Sequence, residues 1–164
     1  MNAEKSGPGD QWREAALALI RSQSIVTLAT SDRTGPWAAP VYYVFLDGSF
    51  YFFSSPSSRH IAQALETGQS AAALFDASDS WQAIRGIQMA GHLKRVRQPA
   101  MVLKATAAYL KRYPFVRDFF PGNPSPDADT FFACFKARLF SFTPIEAYYT
   151  DNRFGFGNRQ PIDW

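Results

Sequence analysis

Residues 25–54 read IVTLATSDRTGPWAAPVYYVFLDGSFYFFS, and their pattern decides the fold class. Three runs rich in β-branched and aromatic residues occupy positions 25–30, 37–45 and 49–54. The first two are separated by SDRTG and the last two by LDG, both of which carry the chemistry of hairpin turns. Two tight connections within thirty residues leave no room for crossover helices, so the segment predicts an antiparallel meander.

Upstream, residues 1–9 are polar and contain Gly7, Pro8 and Gly9, as expected of a disordered lead. Asp10 is placed to cap a first helix ending near Ser22, with Trp12, Ala16, Leu19 and Ile20 on one apolar stripe. Downstream, SSPSSRH (54–60) leads into a short helix stopped by Gly68. Residues 71–75 predict a fourth strand. Residues 84–96 predict a long, bent fifth one, with Gly86 and Gly91 as candidate bulge positions. Residues 99–113 repeat at helical spacing until Pro114 interrupts them before 115–120. The loop PGNPSPDAD follows, then one or two closing strands at 131–142 and 145–149. The tail TDNRFGFGNRQPIDW has too many glycines and prolines to be regular. Short antiparallel strands interrupted by isolated helices predict a mainly β (α+β) chain, a barrel of about six strands with helices outside it.

The 164 residues fit one domain, expected over 10–164, and 46% hydrophobic with 16% aromatic residues describes a chain able to bury a core. A net charge of +3 with dispersed basic residues argues against a nucleic-acid partner. Cys134 is the only cysteine, which rules out an internal disulfide and, inside the run FFACF, suggests a packing role. No window is apolar enough for a membrane helix, and the start of the chain lacks a signal-peptide pattern, so a soluble cytoplasmic protein without membrane contact is expected.

SSPSSRH is the most informative chemical stretch. Its hydroxyls and the free N–H groups of a helix start form an anion site, to which Arg59 adds a forked cation suited to phosphate. The alternative is that Ser57 or Ser58 merely caps the helix while Arg59 is solvated. Positions 40–43, facing Tyr51 and Phe53, offer an apolar slot for a planar ring, or simply barrel core. In IRGIQMAGHLKRV, Arg85 and Gln88 are polar on a strand and need partners, whether a ligand or water at an edge. His60 and His92 are the only histidines, and no metal-ligand spacing, G-x-S-x-G elbow, Walker loop or Rossmann glycine pattern occurs.

The element order, with RGIQMAG, SRHIAQ and TDNRFGFG, resembles the pyridoxamine 5′-phosphate oxidase-like FMN-binding split-barrel family, and within it the YhbP-type branch, from about Ile20 to Gly157. The resemblance implies an antiparallel split β-barrel that binds FMN at the interface of a homodimer. It implies Val41, Tyr42 and Tyr43 beneath the flavin ring, Phe53, Ser54 and Ser55 at the strand end, Arg59 and His60 at the phosphate, and Arg85 or Gln88 completing the site. Trp81, Asn152 and Phe156 would act from the partner subunit, with Tyr109 and Arg112 near the substrate. The chain carries Arg59-His60 where the family's oxidases carry Arg-Lys, and lacks their C-terminal Arg-x-His motif. The expected activity is a flavin-dependent oxidoreductase acting on a small molecule, with NAD(P)H a candidate donor. No side chain is singled out as catalytic, and the alternative is a non-catalytic flavin or haem binding or storage module.

Overall fold

A computed structural model describes residues 9–123 and 126–164. The expected lead at 1–9 therefore lies outside the described residues except for Gly9, as do Pro124 and Ser125 of the PGNPSPDAD loop. Helix α1 (Asp10–Ser22) is followed by β1 (Ile25–Asp32), β2 (Gly35–Tyr42), β3 (Val44–Leu46) and β4 (Ser49–Ser54). Then come α2 (Arg59–Thr67), β5 (Ser70–Phe75), β6 (Arg85–Arg95), α3 (Pro99–Arg112), α4 (Ala128–Phe135), β7 (Arg138–Asp151) and β8 (Arg159–Pro161). One antiparallel sheet runs β2-β1-β5-β6-β7-β4-β3, with β8 added on β7.

The sheet curls because α1 and one sheet face share a core. Ala16, Leu19 and Ile20 of α1 pack on Val26, Leu28, Leu74, Ile87, Phe140, Phe142 and Tyr149. β5 shows the resulting alternation, with Ser70, Ala72 and Leu74 buried and Ala71, Ala73 and Phe75 exposed. β4 does not alternate, since Ser49, Phe50, Tyr51 and Phe52 are all buried. Its second face is covered by a separate core in which Tyr51 packs with Tyr109, Leu110, Phe120, Phe131 and Leu139.

The expected strand at 37–45 divides at Tyr43. That side chain is fully buried, and its hydroxyl donates to the carbonyls of Ile20 (2.6 Å) and Gln23 (2.9 Å) at the end of α1. The chain thereby leaves β1 and begins pairing with β4. β6 is bent as expected, with a register shift at Ala90/Gly91. A Cβ on Gly91 would lie 2.2 Å from the Thr143 carbonyl oxygen, so only glycine fits there. Gly86 pairs regularly with Phe75 and Thr150 and is not a bulge.

Four further sequence expectations are corrected. Asp10 is the first residue of α1 rather than its cap, and Gly9 stands at the N-cap. FFACF belongs to a helix, not a strand. The Asp127 side chain accepts from Thr130 N (2.8 Å) to start α4, Phe131 is its buried residue, and Lys136 ends it in a left-handed conformation. Cys134 on this helix is exposed rather than packed. The tail is also more regular than expected, because β7 continues to Asp151 and β8 pairs with it.

Candidate cofactor site

β4 delivers the chain to α2 through Ser55–Ser58, and the hydroxyls there form a connected cluster. Ser54 Oγ lies 2.9 Å from His60 Nε2 and 3.2 Å from Ser58 Oγ, while Ser55 and Ser57 hydroxyls are 3.0 Å apart. Ser58 occupies the N-cap, but its hydroxyl donates to the Ser55 carbonyl at 2.8 Å and makes no cap bond. No side chain caps the first turn of α2, which corrects the capping half of the alternative and leaves its N–H donors without a side-chain acceptor, while Arg59 is exposed. Burial lowers the pKa of the His60 imidazole, which favours its neutral form.

Arg59 projects on the exposed side of the same turn. Its guanidinium lies 4.7 Å from the Trp37 ring centroid and makes only long contacts, 3.4–3.5 Å, to Thr34 and Gly35. The β1–β2 turn that Arg59 meets is tied to α2 by a buried amide that the sequence pattern did not single out. Gln63 accepts from Thr30 Oγ1 (2.7 Å) and donates to Asp32 (3.0 Å) and the Gly35 carbonyl (2.9 Å). The Asp32 carboxyl is held below its usual range, chiefly by its bonds from Thr34. A glutamine three residues after a buried helix-start residue was the available signal, since Gln63 follows His60 on one helical face.

The expected ring slot is only partly present in this chain. Val41 is half-buried and Tyr42 is exposed, its ring 5.1 Å from Tyr113 and 5.7 Å from Phe115. Tyr43, however, is enclosed in the main core, and Phe53 stacks on Phe131 at 4.0 Å beneath α4. Tyr109 is likewise buried, edge-on to Phe53 and Tyr113. Arg112 donates to the carbonyls of Arg21 (3.0 Å) and Gln23 (2.5 Å), closing the end of α1 rather than facing a cavity at the α2 turn.

Arg85 and Gln88 are separated by strand alternation. Arg85 is ion-paired with Asp76, which also accepts from Gln23 at 3.2 Å. Gln88 is exposed on the outer sheet face, in a row with Pro40, Thr27, Ala73 and Tyr148, and Arg159 reaches to 3.5 Å of its amide oxygen. Trp81, Asn152 and Phe156 do come together. The Trp81 and Phe156 rings are 5.7 Å apart, and Asn152 donates to the Trp81 carbonyl at 2.8 Å. Phe156 is 84% exposed, while Asn152 is buried as the tie between the two loops. Among the described residues no three metal-ligating side chains cluster.

A single antiparallel curled sheet with external helices and a hydroxyl-lined helix start defines an antiparallel split-barrel protein. The chain belongs to the pyridoxamine 5′-phosphate oxidase family, whose sequence profile matches residues 12–138. A UPF0306 protein of Klebsiella pneumoniae (strain 342) is 25% identical over 142 residues, covering 85% of each chain. The UPF0306 protein YhbP of Escherichia coli O157:H7 is 24% identical over 142 residues, with the same coverage. Among solved structures, a heme binding protein from Mycobacterium smegmatis superposes with a TM-score of 0.69 at 18% identity, over 98% of this chain and 59% of that one. An FAD-binding protein from Mesorhizobium loti gives 0.61 at 15% identity, over 82% and 90%. The chain thus spans about three-fifths of the Mycobacterium smegmatis structure.

Proposed function

We propose that this protein binds FMN with its phosphate at the start of α2 and acts, as a cytoplasmic homodimer, as a flavin-dependent oxidoreductase on a small molecule. The observation that carries the reading is the uncapped first turn of α2, flanked by the Ser54, Ser55 and Ser58 hydroxyls, His60 and the loosely held Arg59 guanidinium. Backbone donors, hydroxyls and a forked cation suit a phosphate monoester. At the ring end, Val41 is half-buried and Tyr42 is exposed on β2, whereas Tyr43 is enclosed in the main core and Phe53 packs against the second one. When bound, the flavin supplies hydride or electron transfer, with NAD(P)H a candidate donor, while the barrel orients the ring and excludes water.

The outer sheet face supports the dimer. Ile25, Ala29, Ala71, Ala73 and Phe75 are exposed there on adjacent strands, with Phe75 63% accessible. Such an apolar surface favours a partner. The Trp81–Phe156 pair is proposed to meet the other subunit's flavin. An unpaired exposed cysteine suits the reducing cytoplasm, and no described helix is long and apolar enough to cross a membrane.

The test is the absorption spectrum and size of the purified protein incubated with FMN. A retained flavin band, bleached by NAD(P)H, in a particle of twice the chain mass supports the reading. Failure to retain flavin overturns it. One observation favours a haem-binding module instead. His92 Nδ1 lies 2.8 Å from the Gly68 carbonyl, which leaves Nε2 available to a ligand beside a hollow of about 640 Å³ lined by Ala29, Ala71, Ala90 and Ile145. A Soret band lost in His92→Ala would decide for that reading.

A further inference from the structure

Trp37 is not among the flavin candidates, yet it stands beside the phosphate turn. It is the third residue of β2, an edge strand, and lies directly opposite Thr30 of β1. Opposed residues of an antiparallel pair share a sheet face. Thr30 Oγ1 donates to Gln63 of α2 at 2.7 Å, so Trp37 is on the face that α2 covers. Its side chain is nevertheless 45% exposed, so burial in the core does not account for it.

The Arg59 guanidinium lies over the Trp37 ring, 4.7 Å from its centroid. Stacking occupies the flat face of a guanidinium, whereas its five N–H donors lie in its plane. The indole therefore fixes the position of the cation without consuming its donors. The polar contacts of Arg59 agree with this. Only Nη2 makes any among the described residues, at 3.4–3.5 Å to the Thr34 carbonyl, the Thr34 hydroxyl and the Gly35 carbonyl. The carboxylate of the same turn, Asp32, accepts from Thr34 N (2.8 Å), Thr34 Oγ1 (2.6 Å) and Gln63 Nε2 (3.0 Å). It feels the charge of Arg59 but forms no ion pair with it among the described residues. A free arginine samples many rotamers and loses that freedom on binding an anion, so holding it in place beforehand strengthens binding.

We propose that Trp37 is a positioning residue for the cofactor phosphate, its ring holding Arg59 beside the first turn of α2 with donors available to a phosphate oxygen. Given a phosphate at the start of α2, on which this rests, Trp37 acts through Arg59 and only on ligands that carry the phosphate. It thereby contributes to the preference for a phosphorylated flavin over an unphosphorylated one.

Parallel fluorescence titrations of the full-length protein with FMN and with riboflavin, which share the ring system and differ by the phosphate, test this. Trp37→Leu keeps an apolar side chain without a ring. It is expected to weaken FMN about threefold, the size of an exposed cation–π contact, and to leave riboflavin unchanged, which also reports an intact fold. Trp37→Phe is expected to recover most of the FMN affinity. In an Arg59→Ala background, Trp37→Leu is expected to have no further effect, because residues that act through one contact are not additive. Equal weakening of both flavins makes Trp37 a platform for the ring and overturns the proposal. Unchanged FMN affinity in Trp37→Leu, or additive losses in the double variant, overturns it while leaving the phosphate reading in place. A parent protein that binds FMN no more tightly than riboflavin overturns the phosphate reading itself, and this proposal with it.

Discussion

The Nε2 atom of His60 lies 2.9 Å from the hydroxyl of Ser54, so the last residue of β4 and the second residue of α2 are joined side chain to side chain. This contact fixes the turn on which the proposed phosphate site is built. It also places a titratable ring in a buried position.

Acidification is expected to act through that ring. The folded-state pKa of His60 is lowered by burial, below the unfolded value near 6.5. Between the two values the unfolded chain binds more protons, so stability contributed by neutral His60 is full above about pH 6.5 and is lost as pH falls through that window. Thermal midpoints measured from pH 7.5 to 5 are expected to fall, with a shallower slope in His60→Gln. Parallel slopes would assign the acid sensitivity elsewhere.

Arg59 is the exposed cation nearest the uncapped helix turn, whereas Arg97 lies beyond β6 and lines none of the site. Fluorescence titration of FMN is expected to show Arg59→Ala weakened by roughly tenfold or more, since hydrogen bonds to charged groups contribute about 1.5–3 kcal/mol. Arg97→Ala should match the parent protein. Equal retention by both variants removes Arg59 from the site.

The Gln63 amide is 1% exposed and serves Thr30, Asp32 and Gly35 at once. Gln63→Ala strands these groups next to a cavity and is expected to cost about 2–3 kcal/mol in urea unfolding. A loss under 0.5 kcal/mol would show that the network contributes little. Because Gln63 holds the turn contacted by Arg59, a parallel loss of FMN retention is expected.

Gly91→Ala tests the bend in β6. A methyl group there meets the Thr143 carbonyl oxygen at 2.2 Å, but at Gly86 the nearest oxygen is 3.1 Å away. Gly91→Ala is expected to lose more than about 2 kcal/mol or to fail to accumulate folded, while Gly86→Ala loses less. The comparison is read by thermal unfolding.

Much of the fold was written locally. The hairpin signals after Thr30 and Leu46, the glycine stop at Gly68 and the bulge at Gly91 each depend on a few neighbouring residues, and the structure has them where the pattern put them. SSPSSRH was legible for the same reason, since a hydroxyl-rich run before an amphipathic helix is a short-range signal. The family resemblance added the split-barrel topology, which the sheet order bears out.

What the sequence could not determine was which apolar residue faces which neighbour. Phe131–Phe135 suits a strand and a helix equally by hydrophobicity, and the Asp127 cap together with docking of Phe131 on Phe53 decided for the helix. Tyr43 and Arg112 looked available for a ligand, yet both are committed to the carbonyl end of α1, about twenty and ninety residues away in sequence. Helix-end carbonyls must find donors wherever the fold brings them, and that demand is invisible in local pattern. The sequence alone therefore determined the hairpin turns, the glycine positions and the hydroxyl-rich helix start, and tertiary packing decided the strand order and which aromatic and cationic side chains remained exposed.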